Sequence, residues 1–481
     1  MIAPHPSARL VFAGVERDGA ALATAARERA AELRAAGIGA GDRIGWLGTN
    51  HPDMLVTLFA AAELGAALVP FNWRLAEEEW RWIAEDAGIA TLLRGPSHQA
   101  PSPALAGEGG ARDAEHRGRV GAAPPHAPNT PLLIGYTSGT TGRPKGAVLP
   151  QSAFIANAAA SRAIFSLTSN DRILTVLPLF HVGGLNIQTV PALLHGATVI
   201  LHERFDPDAF FDALERDRPT LSLLVPAVMA ALVAHPRWER ADLSSLRAVG
   251  AGSSDVPIPL IEAFHARGVP VQQVYGSTET SPIAIAQTRD EALAAPGSIG
   301  RPVLGVEARV APGTGEIGVR GPVVMSGYLN DPAATAAALR GGWFATGDVG
   351  RVDEHGRYWF TDRLKHLIIS GGENISPAEV ERVLATAPGV REGAVVGRPD
   401  PRWGEVPVAV VVPGKGFDPA RVLAHFDGRL ARFKQPRDVV MVEALPRTAL
   451  GKVAVAKLRK LVSAGPATPA SPPPTLSCTT R

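Results

Sequence analysis

Residues 132–149 read LLIGYTSGTTGRPKGAVL. An apolar strand, Leu132 to Tyr136, runs into a loop of small hydroxyl residues and glycines, with Lys145 just beyond it. Glycines permit positive φ and close backbone approach, hydroxyls and amides donate to phosphate oxygens, and lysine adds a positive charge. The composition is that of a phosphate cradle, although a flexible Gly/Ser/Thr turn would use the same residues. It is not a Walker A loop, which needs G-x-x-x-x-G-K-[ST]. The spacing of Gly139, Gly142 and Lys145 fails that template, and Gly451-Lys452 is followed by Val453.

On either side of this loop, from Gly19 to about Ala286, short apolar runs alternate with helical patterns. ALATAARERAAELRAAG reads as an Ala-rich helix ended by Gly37, RIGWLG as a strand, and Pro52 as the entry to a further helix. RILTVL, ATVILH, LSLLV, LRAVGA and VPVQQVYG are further β-like runs, with helix-length segments such as Pro207 to Arg216 and Pro226 to Ala234 between them. This alternation predicts an α/β fold of doubly wound βαβ units with mostly parallel sheets. Ligand sites in such sheets lie at the carboxyl ends of the strands.

Three stretches depart from the pattern. Residues 95–131 are rich in Pro, Gly and Ala and read as a long irregular loop, and 464–481 read as a disordered tail. From Trp343 to Gly372 the character changes to hairpin-like strands around an Asp353–Gly356 turn. A compact α+β stretch follows, with a capping box at Ser376 to Glu379. A domain boundary is expected near Asp362 to Lys365, giving domains 1–362 and 363–463.

Of 481 residues, 46% are hydrophobic and 20% charged, which is a globular composition. Lys+Arg is 48 against Asp+Glu 46, so a nucleic-acid binder working through a broad basic face is not expected. The single cysteine, Cys478, can form neither an internal disulfide nor a Cys-rich zinc site, and a cytoplasmic protein is the simplest reading. The N-terminal residues have no charged n-region and no sustained apolar run, so no secretory signal is expected. Met54 to Phe71, the most apolar stretch, is broken by Glu63, Gly65 and Pro70. It reads as a buried helix and strand rather than a membrane span.

YTSGTTGRPKG closely resembles the signature of the adenylate-forming superfamily of acyl-CoA and aryl-CoA synthetases, adenylation domains and luciferases. Further matches follow in the family's order: LPLFHVGG (177–184), YGSTET (275–280), WFATGD (343–348), FTDRLKHLIISGGENISPAEVE (360–381) and LPRTALGKV (445–453). They span the chain from about residue 20 to 462. The resemblance implies a large N-terminal domain of doubly wound sheets plus a distorted β-barrel, and a small mobile α+β C-terminal domain. The implied chemistry is activation of a carboxylic acid with ATP and Mg²⁺ to an acyl-AMP, followed by transfer to a thiol.

Residue by residue, the resemblance assigns Thr137, Ser138, Gly139, Thr140, Thr141, Gly142 and Lys145 to the departing phosphates. Tyr275 and Gly276 would lie against the adenine, with Gly250, Ala251 and Gly252 opposite and Gln273 on the base edge. Thr278 would touch the α-phosphate and Glu279 would ligate Mg²⁺, a hard cation that prefers oxygen. Asp348 and Arg363 would hold the ribose. Lys452 would bridge the carboxylate and the nucleotide in adenylation, where a positive charge offsets charge that builds. Lys365 aligns with the pivot of the small domain, and Gly371 and Gly372 with the pantetheine tunnel. His181, beside the acyl site, has no nearby partner at metal-ligand spacing. The expected acyl pocket walls are His181, Val182, Gly183, Gly184, Val225, Val274, Gly276, Ser281 and Pro282.

Three features depart from the family's pattern: the 95–131 stretch, Ser253-Ser254-Asp255 where relatives carry an Ala-Pro-Leu type run, and VAVAKLRK after Lys452, which lacks the common basic pair. The FD-x-S pattern of amino-acid adenylation domains is missing, which disfavours an amino-acid substrate. The expected activity is therefore an acyl-CoA synthetase for a fatty or aryl acid, with CoA as thiol. An acyl-AMP ligase loading an acyl carrier protein is the alternative. A non-catalytic relative is a third reading, against which Lys145, Glu279 and Lys452 all stand intact.

Overall fold

The computed structural model describes residues 2–96, 127, 129–137, 144–253, 256–370, 373–447 and 453–463. The 464–481 tail, most of the 95–131 stretch, Ser138 to Gly142, Gly371, Gly372 and Lys452 lie outside the described residues, as does the side chain of Lys365. The chain divides into two units, Met1–Phe360 and Thr361–Arg481.

In the first unit the alternating pattern builds two large sheets. One has nine strands, and its central strands Leu221–Leu224, Ala248–Gly252 and Val271–Tyr275 run parallel. The other has six, including the parallel trio Arg43–Leu47, Ala67–Phe71 and Thr91–Arg94. Helix Pro52–Leu64 is buried except at Asp53 and Glu63, as a predominantly apolar helix must be. Gly65, at φ +70°, ends it and turns the chain into Ala67–Phe71. No helix among the described residues is long and apolar enough to cross a membrane. A third sheet, of five strands, includes the antiparallel run Glu307–Val310, Glu316–Arg320 and Trp343–Val352.

The edges of the 95–131 stretch are ordered. Its last residue, Pro131, already belongs to the strand Pro131–Thr137, which extends one residue beyond the expected strand at each end.

The second unit is built on a five-stranded mixed sheet whose long hairpin, Val390–Asp400 with Gly404–Pro413, alternates between two cores. Val395, Ala409 and Val411 pack with Val380, Leu384 and Phe426 on one face. Ala394, Val396, Val408 and Val410 pack with Leu458 and Val462 on the other. Period-two alternation thus covers both faces with helices.

Helix Pro377–Leu384 starts as predicted at Ser376, whose hydroxyl accepts from the Glu379 N–H at 3.2 Å. The reciprocal half of the expected capping box is not made. The Glu379 carboxylate instead takes the Lys434 ammonium at 2.8 Å, a stronger partner than a backbone amide. The buried Asp362 supplies the rest of the cap, accepting from the Ser376 hydroxyl at 2.6 Å and the Ala378 N–H at 3.0 Å. Asp362→Ala should destabilise this helix by about 2 kcal/mol, since buried donors lose a charged acceptor. Amide exchange across 377–384 in the full chain should then accelerate about 30-fold, and Asp362→Asn should recover most of the loss.

Candidate active site

The phosphate loop spans a β-hairpin. Pro131–Thr137 pairs antiparallel with Lys145–Pro150, placing Thr137 opposite Lys145. Gly135, two residues before the loop, is where the hairpin's sheet meets the other large sheet. A Cβ on Gly135 would sit 2.5 Å from Cγ2 of Thr278, in the turn that follows Val271–Tyr275. Only glycine lets that turn approach the strand.

The turn carries Thr278, expected at the α-phosphate, and Glu279, expected at Mg²⁺. Thr278–Thr280 forms a single tight 3-10 turn, with the Ser277 N–H donating to the Thr280 hydroxyl at 2.9 Å. Gly276 is obligatory here, because a Cβ would fall 1.9 Å from the Pro282 carbonyl oxygen. Glu279 is buried, and its Oε1 accepts from the Tyr328 hydroxyl at 2.9 Å. Burial, and then the Glu279 charge, push the Tyr328 phenol well above its ordinary value, so it remains a donor. Lys145 lies 5.4 Å from the Tyr328 ring centroid and 3.7 Å from the Asp331 carboxylate. The hairpin lysine and the turn glutamate thus share one tyrosine, the lysine at its ring and the glutamate at its hydroxyl.

Two residues of the first unit expected at the nucleotide, Tyr275 and Asp348, are in contact. The Tyr275 hydroxyl donates to Asp348 Oδ2 at 2.8 Å. Asp348 is buried and follows Gly347, at φ +69°, whose N–H donates to Glu316 at 2.9 Å. Gly252 is required because a Cβ would meet the Val274 carbonyl oxygen at 2.3 Å; Gly250 and Ala251 precede it in the strand. Gln273 fits its expected role only partly. Its amide nitrogen donates one of its two N–H groups to the Ser298 carbonyl at 2.8 Å in the interior. Arg363 belongs to the second unit and is exposed.

The acyl wall begins at His181, whose ring lies 4.8 Å from that of Phe180. Val182, Gly183 and Gly184 form a short helical turn; a Cβ on Gly183 would lie 3.4 Å from the Ser253 hydroxyl, and one on Gly184 2.3 Å from the Pro178 carbonyl oxygen. Val225 caps the helix Pro226–Val233, and Val274 is buried in its strand.

Beyond Gly184 the helix widens to a π-turn over Leu185–Thr189, with the Val190 N–H reaching back to the Leu185 carbonyl. A wide turn leaves carbonyls off the regular ladder. Asn157 and Ser161, one turn apart on the helix Gln151–Phe165, donate to the carbonyls of Asn186 and Ile187. Asn186 in turn donates to the Ser281 carbonyl at 2.7 Å, and Asn157 accepts from the Ile283 N–H at 3.2 Å. This buried amide network ties the acyl wall to Ser281 and Pro282. Sequence reading missed it, as it missed Tyr328 and Asp331; the visible signal was two amides in the otherwise apolar LNIQT.

The second carboxylate oxygen of Glu279 has no hydrogen-bond partner among the described residues, so a buried, oriented hard donor is available. That fits Mg²⁺. No group of three or more His, Cys, Asp or Glu that could hold a metal occurs among the described residues, so most of the ion's other ligands would come from phosphates and water.

The hairpin Pro131–Thr137/Lys145–Pro150, the Tyr275–Asp348 pair and the turn bearing Thr278 and Glu279 form the candidate active site. The sequence profile of AMP-binding enzymes matches residues 4–329, and that of the AMP-binding enzyme C-terminal domain matches 379–452. The chain belongs to this family, as an AMP-forming acyl-CoA ligase that works through an acyl-AMP and uses ATP, Mg²⁺ and CoA.

It is 49% identical over 473 residues to an indoleacetate–CoA ligase of Aromatoleum aromaticum, covering 92% of this chain and 93% of the relative. It is 43% identical over 473 residues to a feruloyl-CoA synthase of an Amycolatopsis species, covering 95% and 94%. The o-succinylbenzoate CoA synthetase of Bacillus subtilis, solved with its acyl-adenylate, superposes with a TM-score of 0.82 at 31% identity over 94% of each chain. Solved with ATP and a magnesium ion, the same enzyme gives 0.81 at 30% identity, covering 93% of this chain and 96% of its own.

Gly135→Ala should cost about 1–3 kcal/mol, as overpacking does, and displace the 278–280 turn. Thr278→Ser removes the opposing methyl and keeps the hydroxyl. The double variant Gly135→Ala/Thr278→Ser should therefore recover most of both stability and activity, which a double-mutant cycle by denaturation and turnover would measure.

Proposed function

We propose that the substrate is an aromatic carboxylic acid and that CoA, rather than a carrier protein, is the thiol acceptor. The observation that carries this is the 49% identity, over nearly the full length, to a ligase named for an aryl acetate, with a feruloyl-CoA synthase next to it.

In the first half-reaction a carboxylate oxygen attacks the α-phosphorus and pyrophosphate leaves. Lys145 and the loop from Thr137 to Gly142 hold the departing phosphates, and Thr278 donates to the α-phosphate. Tyr275 covers the adenine, with Gly250 to Gly252 opposite. Asp348 accepts from the ribose, with Arg363 as the second ribose contact. Lys452 neutralises the charge shared between carboxylate and nucleotide, where preorganised charge is most effective. Mg²⁺, when bound at Glu279, offsets phosphate charge. In the second half-reaction the CoA thiol attacks the acyl carbon and AMP leaves. Lys365 serves as the pivot of the smaller domain, and Gly371 and Gly372 admit the thiol arm. His181 borders the acyl group. A cytoplasmic location fits a chain whose single cysteine is Cys478.

Pyrophosphate release should be measured with ATP and Mg²⁺ across aromatic and aliphatic acids, with and without CoA. Release with aromatic acids that accelerates with CoA and yields AMP is the expected result. Release unchanged by CoA would favour the carrier-protein reading. A preference for aliphatic acids would overturn the aromatic one.

Tyr328 orients Glu279, so Tyr328→Phe should weaken Mg²⁺-dependent ATP binding about tenfold, as loss of a partner behind a metal ligand does. Calorimetry of ATP binding at varied Mg²⁺ would show this independently of turnover.

A further inference from the structure

Behind the acyl wall lies a second feature that the reaction does not account for. Gln188 is 2% exposed, and neither polar atom of its amide has a hydrogen-bond partner among the described residues. It lines a cavity of about 10 Å³, with Thr175, Leu177, Gly184, Thr189 and Leu223 among the other walls. That is room for one water-sized group. The other polar side chains there are occupied. The Thr175 and Thr189 hydroxyls bond each other at 2.9 Å, and Thr189 also donates to the Gly184 carbonyl at 2.7 Å. Gln188 alone presents both a donor and an acceptor with nothing to meet them.

The cavity borders the acyl site. Gly184 belongs to both, and Leu223 stands two residues before Val225, at the end of a strand of the same sheet. The π-turn over Leu185–Thr189 sets Gln188 at this depth: the widened pitch brings residues four and five beyond Gly184 onto its face of the helix. A cavity this small excludes a ring and admits a single N–H or O–H. A primary amide can answer either one.

The geometry points to Gln188 as a specificity-determining residue that receives one hydrogen-bonding group at the far edge of an aromatic acid, such as an indole N–H or a phenolic O–H. This rests on the aromatic-acid reading above. The ring stays against Gly183 and Gly184, and its polar edge reaches the amide. A site built to hydrogen-bond a substrate group discriminates against analogues that lack it, because its own polar atoms are then left buried and unpaired.

The test compares kcat/KM within matched pairs: indole-3-acetate with 1-naphthylacetate, and 4-hydroxycinnamate with cinnamate. The wild-type enzyme should prefer the hydrogen-bonding member of at least one pair by about 10–100-fold. In Gln188→Leu that ratio should fall towards one. Should the leucine variant fail to fold, Gln188→Met carries the same comparison, with melting temperature as the check. A merely structural glutamine would lower both members of a pair together and leave the ratio intact, which would overturn the assignment. So would a wild-type enzyme that activates aromatic acids without any preference. Activation of aliphatic acids alone would instead show that the aromatic reading had failed, and this inference with it.

Discussion

The missing side chain at Gly135 is the constraint on which the site depends. Two sheets must bring their ends together if a phosphate loop carried by one is to serve a turn carried by the other. The sheet holding Pro131–Thr137 supplies the loop, and the sheet holding Val271–Tyr275 supplies Thr278 and Glu279. The Thr278 methyl occupies the space that a Cβ on Gly135 would need, and Val182 at the head of the acyl wall is 3.9 Å from the same point. Phosphate, metal and acyl elements therefore converge on one backbone position. Larger residues elsewhere in that strand, such as Ile134 and Leu133, are buried in the cores without this demand.

Charge organises what the close approach brings together. Lys145 and Glu279 would attract each other directly if nothing intervened, and a closed ion pair would compete with a nucleotide and its cation. Tyr328 engages both, giving its hydroxyl to Glu279 and its ring to Lys145. Asp331, which also caps the helix Pro332–Ala338 through the Ala334 N–H at 2.8 Å, holds the lysine at 3.7 Å. A 3.7 Å pair at a half-exposed position is weak enough to yield to phosphate. The arrangement thus keeps an anion-binding cation and a cation-binding anion close without letting either neutralise the other.

Much of this was legible in the sequence, for identifiable reasons. Strand and helix positions followed from runs such as LSLLV and from Pro52 and Gly65, because local chemistry decides them. The family was legible as well, because its motifs, such as Tyr275 to Thr280, are contiguous short segments. Less legible were the partners that tertiary structure supplies. Tyr328 meets Glu279 across 49 positions of chain, and Asn157 meets Asn186 across 29. Gln273 illustrates the same limit: nothing local reveals that Ser298 takes its amide nitrogen. At Glu379, a nearby rule predicted a capping box, and Lys434, distant in sequence, outcompeted it.

The π-turn shows how one local irregularity serves two ends. Widening the helix at Leu185–Thr189 leaves the carbonyls of Asn186 and Ile187 in need of donors. Asn157 and Ser161 meet that need from the helix that follows the phosphate hairpin, with the Ser161 hydroxyl at 2.6 Å from the Ile187 carbonyl. The segment Val182–Thr189 is thereby fastened by buried hydrogen bonds to the helix that follows the hairpin. The same widening turns Gln188 inward towards the sheet. A regular helix would have kept its own carbonyls paired. It would then have needed neither Asn157 nor Ser161, and an apolar residue would have served at 188. The polar residues in this otherwise apolar layer are accordingly explained together, by the geometry of one turn.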